Sequence, residues 1–351
     1  MELNNILFAS LLLLFSFFLN KYILSLLSKS KSTLLADNDY KKPQAFHEIS
    51  TYRLGGITFF ISLSLAFLYL SYFENIYFSE YASFCTLFFL LGLLDDLKVR
   101  IAQKFRLAAM IGMLIVLIIS NEFYITKTGL QFLNNFLEID IFALFFIILC
   151  FLFIINGSNL VDGFNGLLGI HALIIFCILF GINLFYQNND LSNILFCIIL
   201  LLVIFIKFNF PKAQIFLGDS GAYLFGALIA VSVIKTSILI PSISPFFFCI
   251  LLIYLFFEVF FSFFRKIFIA RQSPLLPDNK HLHMNFFKFL LKKNNSNSKS
   301  NYMVSVYINI IYFLLIVPGI IFMQNGLFCR YYFFSLFLVY IYFYKVLNSK
   351  T

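Results

Sequence analysis

The chain has 351 residues, is 62% hydrophobic and carries charge at only 12% of positions, with a mean hydropathy of +0.95. A water-soluble globule is excluded. A membrane-spanning helix needs roughly 20 apolar residues, which leaves room for about eleven spans, short loops and no large soluble domain. The net charge of +9 is explained by membrane orientation without any nucleic acid.

Apolar runs predict helices near 6–27, 54–73, 79–94, 104–120, 140–156, 164–185, 191–208, 219–238, 243–264, 303–323 and 327–346. The first lacks a positive n-region before it and a small-residue cleavage site after it, so it reads as a retained helix. Of the 25 Lys and Arg, 21 fall in 28–53, 95–106, 207–217, 265–302 and 345–351. The positive-inside rule assigns those segments to the cytoplasmic side. Lys127, Lys235 and Arg330 stay outside, and Lys21 can snorkel from within the first span. The expected fold is therefore an all-α polytopic membrane protein of about 11 transmembrane helices, N-terminus outside and C-terminus cytoplasmic. It forms one domain over 1–351, with cytoplasmic segments 28–53, 95–106, 156–163, 207–218 and 265–302 at its working face. Cys85, Cys150, Cys177, Cys197, Cys249 and Cys329 lack any paired short spacing and read as packing residues. Lys292 to Asn301, polar and low in complexity, reads as a mobile loop.

The acids test this topology, because it was built from bases alone. Glu2, Glu74, Glu80, Glu122, Glu138, Asp140 and Asp190 land outside and read as solvated loop charge. Asp95, Asp96, Asp162, Asp219 and Glu258 sit at the inner ends of four spans, the first two sharing one. An acid in hydrocarbon costs roughly 2.5 to 3.5 kcal/mol, so five at one face point to a shared polar cavity; structural salt bridges are the competing explanation.

Asp95-Asp96 precedes Lys98, Arg100, Lys104 and Arg106, and adjacent carboxylates repel unless a cation joins them. Asn156, Asn159 and Asp162 are spaced i, i+3, i+6, one face if helical, and Gly163, Gly166 and Gly169 let a backbone or a ligand approach. Gly218-Asp219-Ser220-Gly221 opens a span, where a helix N-terminus favours anions and Asp219 offers a hard oxygen; an ordinary cap explains it as well. Arg265, Lys266 and Arg271 precede Pro277-Asp278-Asn279-Lys280-His281-Leu282-His283, and Arg forks and imidazoles suit phosphate. His171, inside a span, reads as a core residue. Lys41, Lys42 and His47, then Arg53-Leu54-Gly55-Gly56, repeat the theme of bases followed by paired glycines at a helix start.

Taken in order, His47 with Arg53-x-Gly55-Gly56, Asp95-Asp96 with Arg106-Leu107, Asn156-x-x-Asn159-x-x-Asp162-Gly163-x-x-Gly166-Leu167, Gly218-Asp219-Ser220-Gly221 and Pro277-Asp278-x-x-His281-Leu282-His283 resemble the polyprenyl-phosphate N-acetylhexosamine-1-phosphate transferases. That family also holds the phospho-MurNAc-pentapeptide translocases. The resemblance implies Mg²⁺-dependent transfer of a hexosamine 1-phosphate from a UDP-N-acetylhexosamine to polyprenyl (undecaprenyl) phosphate, with release of UMP. It implies a multi-pass protein of the plasma membrane with its site on the cytoplasmic face. It further implies that Asp95 and Asp96 are catalytic and that Asn159 and Asp219 bind the metal. Lys42, Asp162, Gly163 and Asn165 would meet the nucleotide, and Arg271, His281 and His283 the phosphates. Two positions depart from the family: Asn165 stands where many bacterial members have Asp, and Met284 replaces the last His of a His-x-His-His ending. A transporter or lipid flippase with an inner-face charged cavity is the rival reading, although transporters usually hold charge near the midplane with repeat symmetry.

Overall fold

The computed structural model describes residues 3–30, 35–37, 51–77, 79–99, 101–273, 278–294 and 296–350. Their helices run in chain order as α1 (Leu3–Ser30), α2 (Gly55–Phe73), α3 (Ser79–Asp96), α4 (Gln103–Ser120), α5 (Gln131–Leu137), α6 (Asp140–Val161), α7 (Leu167–Phe185), α8 (Asn189–Asn209), α9 (Gly218–Leu239), α10 (Pro245–Leu251), α11 (Ile253–Phe264), α12 (Leu282–Asn294), α13 (Asn297–Ile321) and α14 (Gly326–Lys350). Among the described residues nine helices are long and apolar enough to cross a membrane, or ten if α10 and α11, bent by 77° at their junction, are one span. Helix α3 is as long as α4 but carries Glu80, Asp95 and Asp96. Each of the eleven apolar runs corresponds to one of these nine helices, to the bent pair or to α3. The fold is that of an all-α polytopic membrane protein.

Helix α9 lies at the centre, buried along nearly its whole length and packed against α2, α3, α6 and α7. Between apolar helices in lipid no hydrophobic gain drives association, so small residues that let backbones approach decide the packing. Such residues occur on both sides. A Cβ on Gly92 of α3 would collide with the backbone of Asp219 and Ser220, and one on Gly56 of α2 with Gly221. Peripheral helices α1 and α14 show large apolar side chains outward, among them Leu7, Phe18 and Leu338, as lipid-facing helices do.

At one end of the bundle a small three-stranded sheet ties the segments before α2 and α9 together. Strand β1 (Ala36–Asp37) pairs antiparallel with β2 (Thr51–Arg53), which pairs parallel with β3 (Ile215–Phe216) just before α9. Backbone pairing at this point fixes Arg53 beside the start of α9, since Gly56 N also donates to Leu217 O at 2.8 Å.

Several expectations are corrected. Segment 156–163 is not a loop, because α6 continues helical to Val161. Lys292 to Asn301 is not a mobile linker: α12 runs into it, α13 starts at Asn297, and Ser300 and Asn301 are buried. Polar composition there reflects packing against the loop after α6, to which Asn301 Oδ1 is bonded at Asn165 N (2.9 Å). Glu80 is not solvated but buried, accepting from Lys235 Nζ at 2.6 Å. Gly55 and Gly56 serve helix packing and leave no open phosphate cradle. Of the cysteines, Cys85, Cys197 and Cys329 pack inside while Cys177 and Cys249 face outward, and all six are free. Helices α5 and α12 had no apolar run long enough to announce them.

The close approaches predict that Gly92→Ala destabilises the protein by about 1–3 kcal/mol through overpacking against backbone. Gly181→Ala in α7, where nothing lies within 4 Å of the added Cβ, stays within about 1 kcal/mol of wild type. Thermal unfolding midpoints in one detergent compare the two.

Candidate active site at the start of helix α9

Because Gly92 seats α3 directly on the first turn of α9, Asp96, one turn further on, arrives above the unpaired N–H groups of that helix. Its carboxylate accepts from Asp219 N at 3.0 Å and Ser220 N at 2.9 Å. An anion at a helix N-terminus meets both the orphan donors and the positive end of the dipole. Gly218 has φ +77°, and a Cβ there would lie 2.6 Å from Asp96 Oδ2, so only glycine admits this contact. With 1% exposure, Asp96 is a positioning group for α9.

Arg53 approaches from β2. Its Nε and Nη2 donate to Asp37 Oδ2 at 3.2 and 2.8 Å, and Nη1 lies 3.4 Å from Asp96 Oδ1 and 3.7 Å from Asp219 Oδ2. Burial opposes its charge, but Asp219, Asp37 and Asp96 more than offset that, and the guanidinium pKa rises. Asp95 is held from α4, whose Arg106 Nη1 donates to its Oδ2 at 2.6 Å. Asn159 of α6 donates from Nδ2 to Asp219 Oδ1 at 2.8 Å. Asp162 ends α6, and desolvation, then the negative charge of Asp219, push its carboxyl up to about 8 against the pull of Arg53. Gly163 next to it has open space within 4 Å.

Five carboxylates, at Asp37, Asp95, Asp96, Asp162 and Asp219, thus share one mouth with two guanidiniums, Arg53 and Arg106. The imbalance is negative, as a cation site requires. Among the described residues no three His, Cys, Asp or Glu side chains form a metal cage. Asp219 and Asn159 instead supply one or two hard oxygens, because the Asn159 amide can turn its Oδ1 to a cation. A small divalent ion that completes its shell with phosphate oxygens and water suits such a pair.

A second cluster stands on α11, α12 and α14. Glu258, 1% exposed, lies 2.9 Å from His281 Nδ1 and 3.7 Å from His283 Nδ1, and accepts from Tyr340 Oη at 3.2 Å. Tyr254 Oη lies 3.2 Å from His283 Nδ1, and Arg265 donates to Asp278 at 2.7 Å. Burial pushes the His283 imidazole down, against Glu258. Both Nε2 atoms are buried without a hydrogen-bond partner among the described residues. The two histidines are therefore part of the protein wall, not of an open loop, and they reach the first cluster through Phe164, whose ring meets His283 edge-on at 5.7 Å.

The remaining expected residues divide. Asn165 holds structure, donating from Nδ2 to Pro211 O at 3.0 Å. Arg271 is exposed, with φ +50° and no ion pair among the described residues; it is not gathered with either cluster there. Lys42, like His47, lies outside the described residues. His171 is core, with Nδ1 3.2 Å from Asn309 Oδ1. Asp37, Tyr254 and Tyr340 were missed; an acid within a basic segment, and hydroxyls placed inside apolar runs, were the available signals.

Residues 78–237 match the model of glycosyl transferase family 4. The chain is 32% identical over 283 residues to phospho-N-acetylmuramoyl-pentapeptide-transferase of Dictyoglomus turgidum, covering 78% of this chain and 88% of that protein. It is 29% identical over 273 residues to undecaprenyl-phosphate alpha-N-acetylglucosaminyl 1-phosphate transferase of Thermotoga maritima, covering 76% and 77%. The chain belongs to glycosyl transferase family 4. In this family-4 protein the matched segment runs from α3 to α9 and so holds Asp95, Asp96, Asn159, Asp162 and Asp219, while Arg53 and the histidine cluster lie outside it.

Asp96→Ala leaves two N–H groups of α9 without their acceptor and is predicted to cost about 1–3 kcal/mol, with Asp96→Asn costing less because one acceptor remains; unfolding midpoints measure both. The raised Asp162 pKa gives a pH prediction. Between the ordinary carboxylate value of 3.8 and about 8 the folded protein keeps a proton that the unfolded chain has released, so stability falls as pH rises through that window. In EDTA, Asp162→Asn removes this slope; an unchanged slope in the variant refutes the assignment.

Proposed function

We propose that the protein transfers an N-acetylhexosamine 1-phosphate from a UDP-sugar to polyprenyl phosphate, with undecaprenyl phosphate as the bacterial acceptor, releasing UMP at the cytoplasmic face of the plasma membrane. The observation that carries this reading is the pairing of Asn159 with Asp219 at the N-terminus of α9, in a carboxylate-rich mouth at one end of a membrane bundle. A soluble nucleotide and a phosphate anchored in lipid can meet only at such an end. The names of the two relatives above fit a lipid-linked sugar phosphate chemistry.

In this reading Asn159 and Asp219 hold Mg²⁺, which neutralises the donor diphosphate and polarises it for attack. Arg53, fixed by Asp37, turns Nη1 toward the same space and binds phosphate oxygen. Asp162 and the open backbone at Gly163 face the nucleoside. The acceptor needs little activation, since a phosphate monoester has its second pKa near about 6 and is largely dianionic at neutral pH. An oxygen of the lipid phosphate forms a bond to the phosphorus that bears the sugar, and the bond from that phosphorus to the bridging oxygen breaks, giving UMP. Asp95, held by Arg106, is the carboxylate best placed to take a residual proton or orient the acceptor, while Asp96 keeps α9 in place. Charge gathered at one end, not at the midplane, weighs against a transporter.

Purified protein with UDP-N-acetylglucosamine, undecaprenyl phosphate and Mg²⁺ is expected to release UMP, and Asp219→Ala to lose about a hundredfold or more. Equal rates in both would remove the metal assignment. Without lipid acceptor, no phosphorylated aspartate should accumulate; trapping one would replace direct attack by a covalent route.

A further inference from the structure

Away from the carboxylate mouth, a cavity of about 310 Å³ opens between α11, α12, α13 and α14. Phe257, Phe286, Phe289, Ile308, Leu336 and Val339 are among its almost wholly apolar walls, and α3, α6 and α9 contribute nothing to it. One end is cationic. Lys350 lines the cavity, Lys292 Nζ donates to Lys350 O at 2.8 Å, and the ammonium groups of Lys293 and Lys350 stand 4.8 and 5.9 Å from the centre of the same Phe289 ring. From residue 279 to residue 351 the chain contains no Asp or Glu at all.

Orientation in the membrane accounts for lysines at inner helix ends. It does not account for Lys350 lining an apolar cavity while Lys292 is bonded to its carbonyl and Lys293 shares its Phe289 ring. A phosphodiester there would meet basic side chains, and hydrocarbon would fill the space behind it; basic pockets between spanning helices recognise acidic lipid head groups in this way. We propose that the cavity and Lys292, Lys293 and Lys350 bind one anionic glycerophospholipid, with an acyl chain among α11, α13 and α14 and the phosphate among the three ammonium groups. Tyr254 and Tyr340 line the same cavity and bond His283 and Glu258, so an occupying chain also steadies the histidine cluster. The proposal does not depend on the transferase reading.

The test uses the full chain in a neutral detergent, with thermal midpoint and native mass spectrometry as readouts. Dioleoyl phosphatidylglycerol, dioleoyl phosphatidylcholine, inorganic phosphate and undecaprenyl phosphate are titrated separately. Phosphatidylglycerol is expected to raise the midpoint and be retained as a one-lipid adduct, with little effect from phosphatidylcholine or phosphate. Replacing Lys292, Lys293 and Lys350 together by Ala should weaken phosphatidylglycerol about a hundredfold, at about one tenfold step or less per lysine. Val339→Trp should fill the cavity and abolish the adduct; both variants sit away from the α9 core, and circular dichroism checks that they fold. Equal shifts with phosphatidylcholine, a shift with phosphate alone, or an adduct that survives in both folded variants overturns the proposal. So does undecaprenyl phosphate displacing phosphatidylglycerol in wild type at equal concentration, because the cavity would then belong to the acceptor.

Discussion

A carboxylate inside an apolar bundle is stable only where fixed donors surround it, and the start of α9 is where this protein concentrates them. Asp96 takes two backbone N–H groups of that helix and a guanidinium contact, while Gly92 and Gly218 remove the side chains that would hold the two helices apart. Asp219 sits one residue inside that turn. Its direction is therefore set by α3 as well as by α9, and a shift of either helix moves the candidate metal oxygen. The close packing of α2, α3 and α6 on α9 is the condition under which the polar mouth exists.

The same condition explains the mixed charge there. Among the described residues two guanidiniums face five carboxylates, and burial, with the negative charge of Asp219 added to it, raises the pKa of Asp162. A carboxyl that holds a proton can release it when positive charge arrives, which is the behaviour that the proposed reading, a cation brought in with phosphates, asks of Asp162.

Much of this was legible from residue order. Each apolar run became a helix or, at 243–264, a bent helix pair, because in lipid only a helix satisfies its own backbone and length alone then marks it. Asn159 and Asp219, 60 positions apart, were paired by motif and lie in contact. What stayed hidden was partnership between polar groups within the bundle. Nothing local in the sequence says that Glu80 meets Lys235 or that Tyr340 reaches Glu258, since those contacts are set by helix rotation. Asp95 and Asp96 look equivalent as neighbours, yet adjacent helical residues point about 100° apart, so one faces α9 and the other Arg106. Composition also misled at Lys292 to Asn301, where α12 ends and α13 begins, and where Asn301 is buried because it accepts from a backbone N–H of another loop.

That loop is the remaining link between the two clusters. Asn165 N is held by Asn301, and Gly166 N by Asn209 Oδ1 at 2.6 Å, while Asn209 Nδ2 donates to Ile215 O at 2.9 Å in β3. Phe164 lies between these anchors with its ring against His283. The segment between Asp162 and Gly166 is therefore tied to α13, to α8 and, through β3, to the sheet that carries Arg53. A ligand that draws on Asp162 and Gly163 pulls on a loop whose other side touches the buried histidines. His283 is thus one aromatic ring away from the loop that carries Asp162, and His281, stacked on His283 at 5.4 Å, turns its Nε2 to within 3.4 Å of Asp278 Oδ1, so the buried histidines and the carboxylate mouth are coupled through the backbone of that loop and not through a direct polar contact.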